Sequence, residues 1–342
     1  MPSRIQELLQ GNTNKINYEE LIEKHPWIVE KNQYCVLSPD SDGLLCGLFM
    51  SKYLGWKITG FYDGKVAVIN KNYLNKKLVF LDMEIFRKEI RSMGHHMLLF
   101  SKRHLPDNWG NFDSCIQPNN LRDYDGQTKF RLKYPLGTIH FLVGIVASKD
   151  KSVAIPDSAI PALFFTDGVF NVLFSYPENV LNWLSYLRIN EDWNPLKKIF
   201  ENDKFTVITL MKEMDSFFRK RDDISIPRER GDRLRISSSD GNPENIEEIR
   251  SGQCKINSGA KDRIIKFIKI LEKTTTWNYD HNNWVCWENM KFYKFKKSDF
   301  ITDKKTITIK NFDDFIKKNP LSWAMTSGNN IEYTIESPDK FF

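Results

Sequence analysis

The order of elements in this 342-residue chain predicts an α/β fold with a parallel sheet. Two observations carry that expectation. Short apolar strands alternate with helix-like segments from about residue 33, the pattern that crossover connections produce. Two of those strands also run out into aspartates, at the carboxyl ends where open parallel sheets bind ligands.

Taken in order, residues 4–10 and 18–30 read as amphipathic helices, the second opened by the capping-box-like Asn17-Tyr-Glu-Glu20. Residues 1–32 thus form a helical extension. Tyr34–Ser38 is a short apolar strand, Asp40–Gly43 the turn after it, and Leu44–Leu54 a buried helix. Lys57–Tyr62 and Lys77–Asp82 are the next strands. Ile139–Ala147 and Ala162–Leu187 read as mainly helical, the latter interrupted at Pro177. Lys204–Arg221 places Val207, Leu210, Met211, Met214, Phe217 and Phe218 at helical spacing. A connecting helix over 201–221 would then join a domain over 33–200 to a smaller α+β domain over 222–342. Within the latter, 222–258 is rich in Arg, Ser, Asp and Gly, Lys261–Lys273 is amphipathic, and Lys291–Lys297 alternates aromatics with lysines.

Composition excludes several classes. With 41% hydrophobic and 27% charged residues the chain is too apolar to stay disordered. No uninterrupted apolar run approaches the ~18 residues of a spanning helix, and the first 25 residues lack a signal-peptide core. The expectation is a soluble, cytoplasmic protein with no membrane partner. Cys35, Cys46, Cys115, Cys254 and Cys286 are scattered without a Cys-x-x-Cys pair, which argues against disulfides and thiolate zinc. The +6 charge permits an anionic partner without requiring one.

Four patches carry chemistry: Pro39-Asp-Ser-Asp-Gly43, Leu81-Asp82, Gly94-His-His96 and Thr166-Asp-Gly168. Hard divalent cations favour carboxylate oxygens and accept imidazole. Two carboxylates in one turn, a third at the next strand end, a histidine and a fourth aspartate would complete a two-metal cluster. Such clusters, with ions ~3.5–4 Å apart, suit phosphoester hydrolysis.

At these residues the chain resembles the DHH phosphoesterases, which include RecJ-type exonucleases and nanoRNases. The Asp-x-Asp turn, the strand-end aspartate, the His-His pair and the later aspartate occur in that family's order, over roughly residues 33–190. The resemblance implies a two-domain, Mn²⁺- or Mg²⁺-dependent phosphodiesterase. Asp40, Asp42, Asp82, His95 and Asp167 would hold two ions, Asp82 shared between them, with His96 on the scissile phosphate. It further implies single-stranded DNA or RNA, or a short oligonucleotide, as substrate, cleaved from one end. Arg235-Ile-Ser-Ser238 and Ser258-Gly-Ala-Lys261 echo the family's substrate loop, which makes Arg235 and Lys261 candidate substrate contacts. Lys102 and Arg103, close after the His-His pair, are candidates for phosphate as well as for a solvated loop. The chain departs from the pattern at Gly94, where the family has an aspartate able to orient a histidine. It also lacks the substrate loop's histidine.

Two other readings compete. Asp40-Ser-Asp-Gly-Leu-Leu45 is similar to the nucleophile loop of haloacid-dehalogenase-type phosphatases, with Asp40 as nucleophile, although Pro39 interrupts the strand before it. Alternatively, the chain is a catalytically degenerate relative that binds nucleic acid. Among the remaining histidines, His25 reads as a surface cap, His140 as packed core and His281 as part of a polar turn. Trp277, Tyr279, Trp284, Trp287, Phe292, Tyr293 and Phe295 suit base stacking, but mostly read as the buried side of strands.

Overall fold

The computed structural model describes residues 9, 13–227, 229–250, 253–301, 307–327 and 330–335. The helix expected over 4–10 lies, but for residue 9, outside them. Helix α1 (Tyr18–Lys24) starts where the sequence places it, because the Asn17 side chain accepts the N–H of Glu20. It is shorter than expected: His25 and Pro26 end it, and a 3₁₀ turn over Pro26–Val29 follows. His25 itself is buried between the two, not on the surface.

The first half of the chain builds a parallel core. Strand β1 (Tyr34–Leu37) leads into α2 (Ser41–Leu54), then β2 (Lys57–Tyr62), β3 (Val66–Asn70), β4 (Leu78–Leu81), β5 (Arg91–Met93) and β6 (Cys115–Ile116). Short helix α3 (Pro118–Leu121) precedes α4 (Thr138–Lys149), and α5 (Ile160–Phe165), α6 (Val169–Ser175), α7 (Pro177–Tyr186) and α8 (Leu196–Phe200) follow. The connecting segment is helical as its spacing predicts, as α9 (Val207–Asp222). Beyond it come β7 (Ile246–Arg250), β8 (Gln253–Ile256), α10 (Ser258–Thr275), β9 (Met290–Lys294), β10 (Lys296–Ile301), α11 (Ile309–Ile316), β11 (Ser322–Ser327) and β12 (Asn330–Ile335).

Nine strands form one mixed sheet in the order β6-β5-β4-β1-β2-β3-β9-β8-β7, and β10-β12-β11 form a second sheet. The expected parallel sheet is therefore only part of a larger one. Pairing is parallel from β6 to β2 and antiparallel from β2 to β7. The cut expected at 201–221 does not divide this sheet, because β7, β8 and β9 come from the C-terminal half and join it through β3. Within the first half of the chain, sequence patterning missed β3, β5 and β6: the last two are three and two residues long, too short for any periodicity to register.

Core burial explains most aromatics. Trp277, Tyr279, Trp284, Trp287, Tyr293 and Phe295 are buried, and of the seven only Phe292 is exposed, at 36%. His140 is fully buried in α4, as expected of a packed core residue. Residues 157–175 match a membrane span in length and apolar content. They are broken, however, by left-handed Asp167 (φ 51°) and Gly168 (φ 65°), and the break places an aspartate on the wall of a cavity.

Burial holds the pKa of His140 down at about 4, against an ordinary value near 6.5. A histidine depressed in the folded state contributes stability that is complete above pH 6.5 and is lost as pH falls toward 4. Urea titrations at pH 7 and pH 5 should show His140→Leu losing less stability than wild type over that interval, by on the order of 2 kcal/mol. Equal losses in the two proteins would mean that His140 takes up its proton as readily in the fold as in the unfolded chain.

Candidate metal centre

Three neighbouring strands deliver the candidate residues to one place. β5, β4 and β1 lie side by side and parallel, so their carboxyl ends share one edge of the sheet. The chain leaves β1 toward β2 on one side, while β4 packs against β1 on the other. This is a topological switch point, where such sheets open a crevice. Asp40 and Asp42 follow β1, Asp82 follows β4, and His95 and His96 follow β5. Asp167 arrives from the break between α5 and α6.

Local backbone chemistry fixes each group. The stretch expected as a turn is the first turn of α2: Asp40 is its N-cap and accepts the N–H of Gly43 at 3.3 Å. A Cβ on Gly43 would lie 2.1 Å from the Ser38 carbonyl oxygen, so only glycine lets the helix start this close to the strand. Asp82 and Asp167 both adopt left-handed conformations, φ 61° and 51°. Aspartate tolerates that region better than most residues, and such backbone concentrates at functional sites.

Asp42 is fully buried, and its two oxygens accept the N–H groups of Thr138 at 2.5 Å and Ile139 at 3.0 Å. It thereby supplies the cap that α4 lacks from its own Gly137. The Thr138 hydroxyl donates to Asp82 Oδ1 at 2.7 Å and lies 2.9 Å from His95 Nδ1. A hydroxyl has one proton. Since Asp82 receives it, the hydroxyl must accept from His95 Nδ1–H, which leaves a lone pair on His95 Nε2. That nitrogen faces Asp167 Oδ2 at 3.4 Å. Two acceptors opposed at that distance need a cation, or a proton on Asp167, between them.

The electrostatics agree. Burial, then the neighbouring carboxylates, push Asp82 and Asp167 well above the usual carboxylate range. Burial also raises Asp42 against the pull of its hydrogen bonds. Burial and the neighbouring His96 keep His95 well below the ordinary histidine value, hence neutral. His96 behaves oppositely: burial works against its charge, but the Glu84 hydrogen bond and charge, with Asp167 and Asp40, outweigh it and push it up to about 9.

Asp82, His95, His96 and Asp167 present donor atoms within 4.8 Å of one another. This oxygen and imidazole set fits a hard or borderline divalent ion. The geometry therefore puts His96 within the cluster as well as beside it. Asp42 reaches the group through a hydrogen bond with Asp167. Asp40 stands at its edge, 3.4 Å from Arg233 Nη2. Comparison with protein-family models, curated proteins and solved structures returns no match.

Two cavities meet at Asp40 and Arg233. The larger, about 550 Å³, runs from Asp82 and His96 toward Lys65, Trp323 and Tyr333. The smaller, about 390 Å³, runs from Asp167 past Phe165, Phe170, Phe218 and Arg221. Arg235 lines the larger cavity but is paired with Glu244 at 2.6 Å. Lys102 and Arg103 are exposed on a loop and line neither cavity. Lys261 lines neither as well, and lies 3.3 Å from Glu288. Sequence reasoning missed Arg233, Glu84 and Thr138. Glu84 was two residues from a chosen aspartate and Arg233 two from a chosen arginine. No signal marked Thr138.

Repulsion among these acids predicts a separable effect on stability. In EDTA, Asp82→Asn should melt above wild type, because one desolvated carboxylate is gone while an amide still suits φ 61° and still accepts from Thr138. Added Mn²⁺ should raise the wild-type melting temperature, by an amount corresponding to ~2.7 kcal/mol at 100 times Kd, and leave Asp82→Asn nearly unmoved. Equal Mn²⁺ shifts in both proteins would remove Asp82 from the ligand set.

Proposed function

We propose that this chain is a divalent-metal-dependent phosphodiesterase acting on single-stranded nucleic acid or short oligonucleotides, of the DHH type. The observation that carries this reading is the convergence of Asp82, His95, His96 and Asp167 from three separate segments onto one cluster at a sheet switch point, with Asp82 buried at its base and His96 and Asp167 open to the outside. Structural acids have no reason to gather there without a cation, since each raises the cost of ionising the others.

Asp82, His95 and Asp167 would hold Mn²⁺ or Mg²⁺, with Asp42 beside them through Asp167 and Asp40 at the rim. Bound ions would supply neutralisation of phosphoryl charge and an acidified water. The protein's own part begins with Thr138, which fixes the His95 tautomer so that Nε2 faces the site. His96, charged and part-exposed, donates toward a phosphoryl oxygen. Arg233 has a side chain 61% exposed and stands at the junction of the two cavities, placed to pair with a phosphate that crosses it. Phe170 and Phe218, part-buried on the wall of the smaller cavity, offer rings to bases there.

The decisive assay incubates end-labelled single-stranded DNA, RNA and a dinucleotide with Mn²⁺ or EDTA, using wild type, Asp82→Ala and His95→Ala. Shortening that needs Mn²⁺ and disappears in both variants is the expected result. Activity that survives His95→Ala but not Asp40→Asn would instead make Asp40 the nucleophile of a haloacid-dehalogenase-like phosphatase. Metal-independent binding with no cleavage of any substrate would leave a nucleic-acid-binding protein.

Arg233→Gln keeps the side chain's bulk and removes its charge. It should raise KM about 10-fold or more with a smaller effect on kcat. An unchanged KM would exclude Arg233 from substrate binding.

A further inference from the structure

Glu84 is 2% exposed, and it bears on the site through its charge on His96. Its Oε1 accepts the N–H groups of His96 at 2.6 Å and Met97 at 2.8 Å. Its Oε2 lies 3.5 Å from His96 Nδ1. The same carboxylate explains Gly94. A Cβ at that position would meet Glu84 Oε2 at 2.5 Å, its carboxyl carbon at 2.7 Å and its Cγ at 3.1 Å, and these are its three nearest atoms. Gly94 is not among the left-handed glycines. Its lack of a side chain therefore serves to leave room for Glu84.

We propose that Glu84 is the positioning residue of this site: through the space left by Gly94, it holds the His95-His96 turn and aims His96 Nε2 at the substrate's phosphoryl oxygen. Two of its three contacts go to backbone N–H groups and set the path of the turn. The third fixes Nδ1 as the buried nitrogen of the ring and so leaves Nε2 to face the cavity, the same division of labour that second-layer carboxylates impose on histidines elsewhere. The sequence expectation that Gly94 deprives the site of an orienting carboxylate is thereby revised. The carboxylate is present, supplied from the segment after β4 instead of from position 94.

The kinetic arm of the test rests on the phosphodiesterase reading; the spectroscopic arm does not. Glu84→Ala should lower kcat about 10–100-fold with KM within about twofold. Glu84→Gln, which keeps an acceptor for the backbone N–H groups, should fold like wild type and still lose most of that kcat. The double variant Glu84→Ala, Gly94→Asp returns a carboxylate to the vacated volume from the other side, and should recover at least about tenfold over Glu84→Ala. Gly94→Asp alone sets two carboxylates against each other and should lose activity and stability. In metal-free protein, ¹⁵N spectra of the His96 ring should show a bonded Nδ1–H that is lost in Glu84→Gln and restored in the double variant.

The proposal is overturned if Glu84→Gln retains wild-type kcat and ring spectra, or if the folded double variant matches Glu84→Ala in both. A wild-type protein that cleaves nothing would overturn the phosphodiesterase reading alone. The ring spectra would then decide the role of Glu84 by themselves.

Discussion

Asp42 and the N-terminus of α4 hold the site together. A fully buried carboxylate is costly unless hydrogen-bonded, and a helix that begins after Gly137 has amide protons without partners. Each satisfies the other, so the segment after β1 and the start of α4 are locked into one unit. Everything else is hung on that lock. Thr138, once its N–H is held by Asp42, has a hydroxyl that reaches Asp82 and His95 together, which ties the ends of β4 and β5 to the same point. Four segments distant in sequence are fixed by one residue pair.

That arrangement costs stability in the absence of a cation. Within the cluster region Asp42, Asp82 and Asp167 all lie above the usual carboxylate range. Left-handed backbone at Asp82 and Asp167 adds strain of about 1–3 kcal/mol each. The surrounding core offsets this, because α2 and α4 are buried on nearly every face and α2 packs directly against β1. A rigid apolar frame around an unfavourable polar centre is the structure expected of a site whose favourable partner is a ligand.

Much of this was legible from residues alone. The Asp40-Ser-Asp-Gly43 segment, Asp82, the His95-His96 pair and Asp167 were distinguishable because strand ends and paired donors leave a local pattern, and the structure gathers them. The existence of β1, α2, β2 and α9 also follows from apolar spacing, and β1 and β2 lie within a residue of their expected bounds, whereas α2 begins three residues earlier and α9 three residues later than expected. What failed has a common cause. Strands β5 and β6 are too short for alternation, and the antiparallel extension through β3, β9, β8 and β7 depends on the pairing of β3 with β9, between residues about 220 positions apart. Arg235 and Lys261 were chosen for their charge, but charge in sequence does not reveal a partner such as Glu244 or Glu288. Arg233 is the arginine at the cavity junction because the Leu234 N–H is bound to the Pro39 carbonyl, a contact between segments nearly 200 residues apart.

The three-stranded sheet shows why the C-terminal third matters to the centre. Leu321 accepts the N–H of Phe86 at 2.7 Å, and Thr334 donates to the Gly64 carbonyl. Phe86, Met97, Leu98 and Phe100 pack in one cluster with Phe315, Trp323 and Tyr333. Glu84 and His96 thus lie at the ends of a segment that is anchored near its start, at Phe86, and just past its end, at Met97–Phe100, by residues in and beside β11 and β12. The same two strands contribute Trp323 and Tyr333 to the larger cavity. A residue such as Glu84 can hold a histidine turn only if its own backbone is held, and here that backbone is fixed by the element that closes the cavity. Wall and site are therefore mechanically one piece, so the shape of the larger cavity and the aim of His96 cannot vary independently.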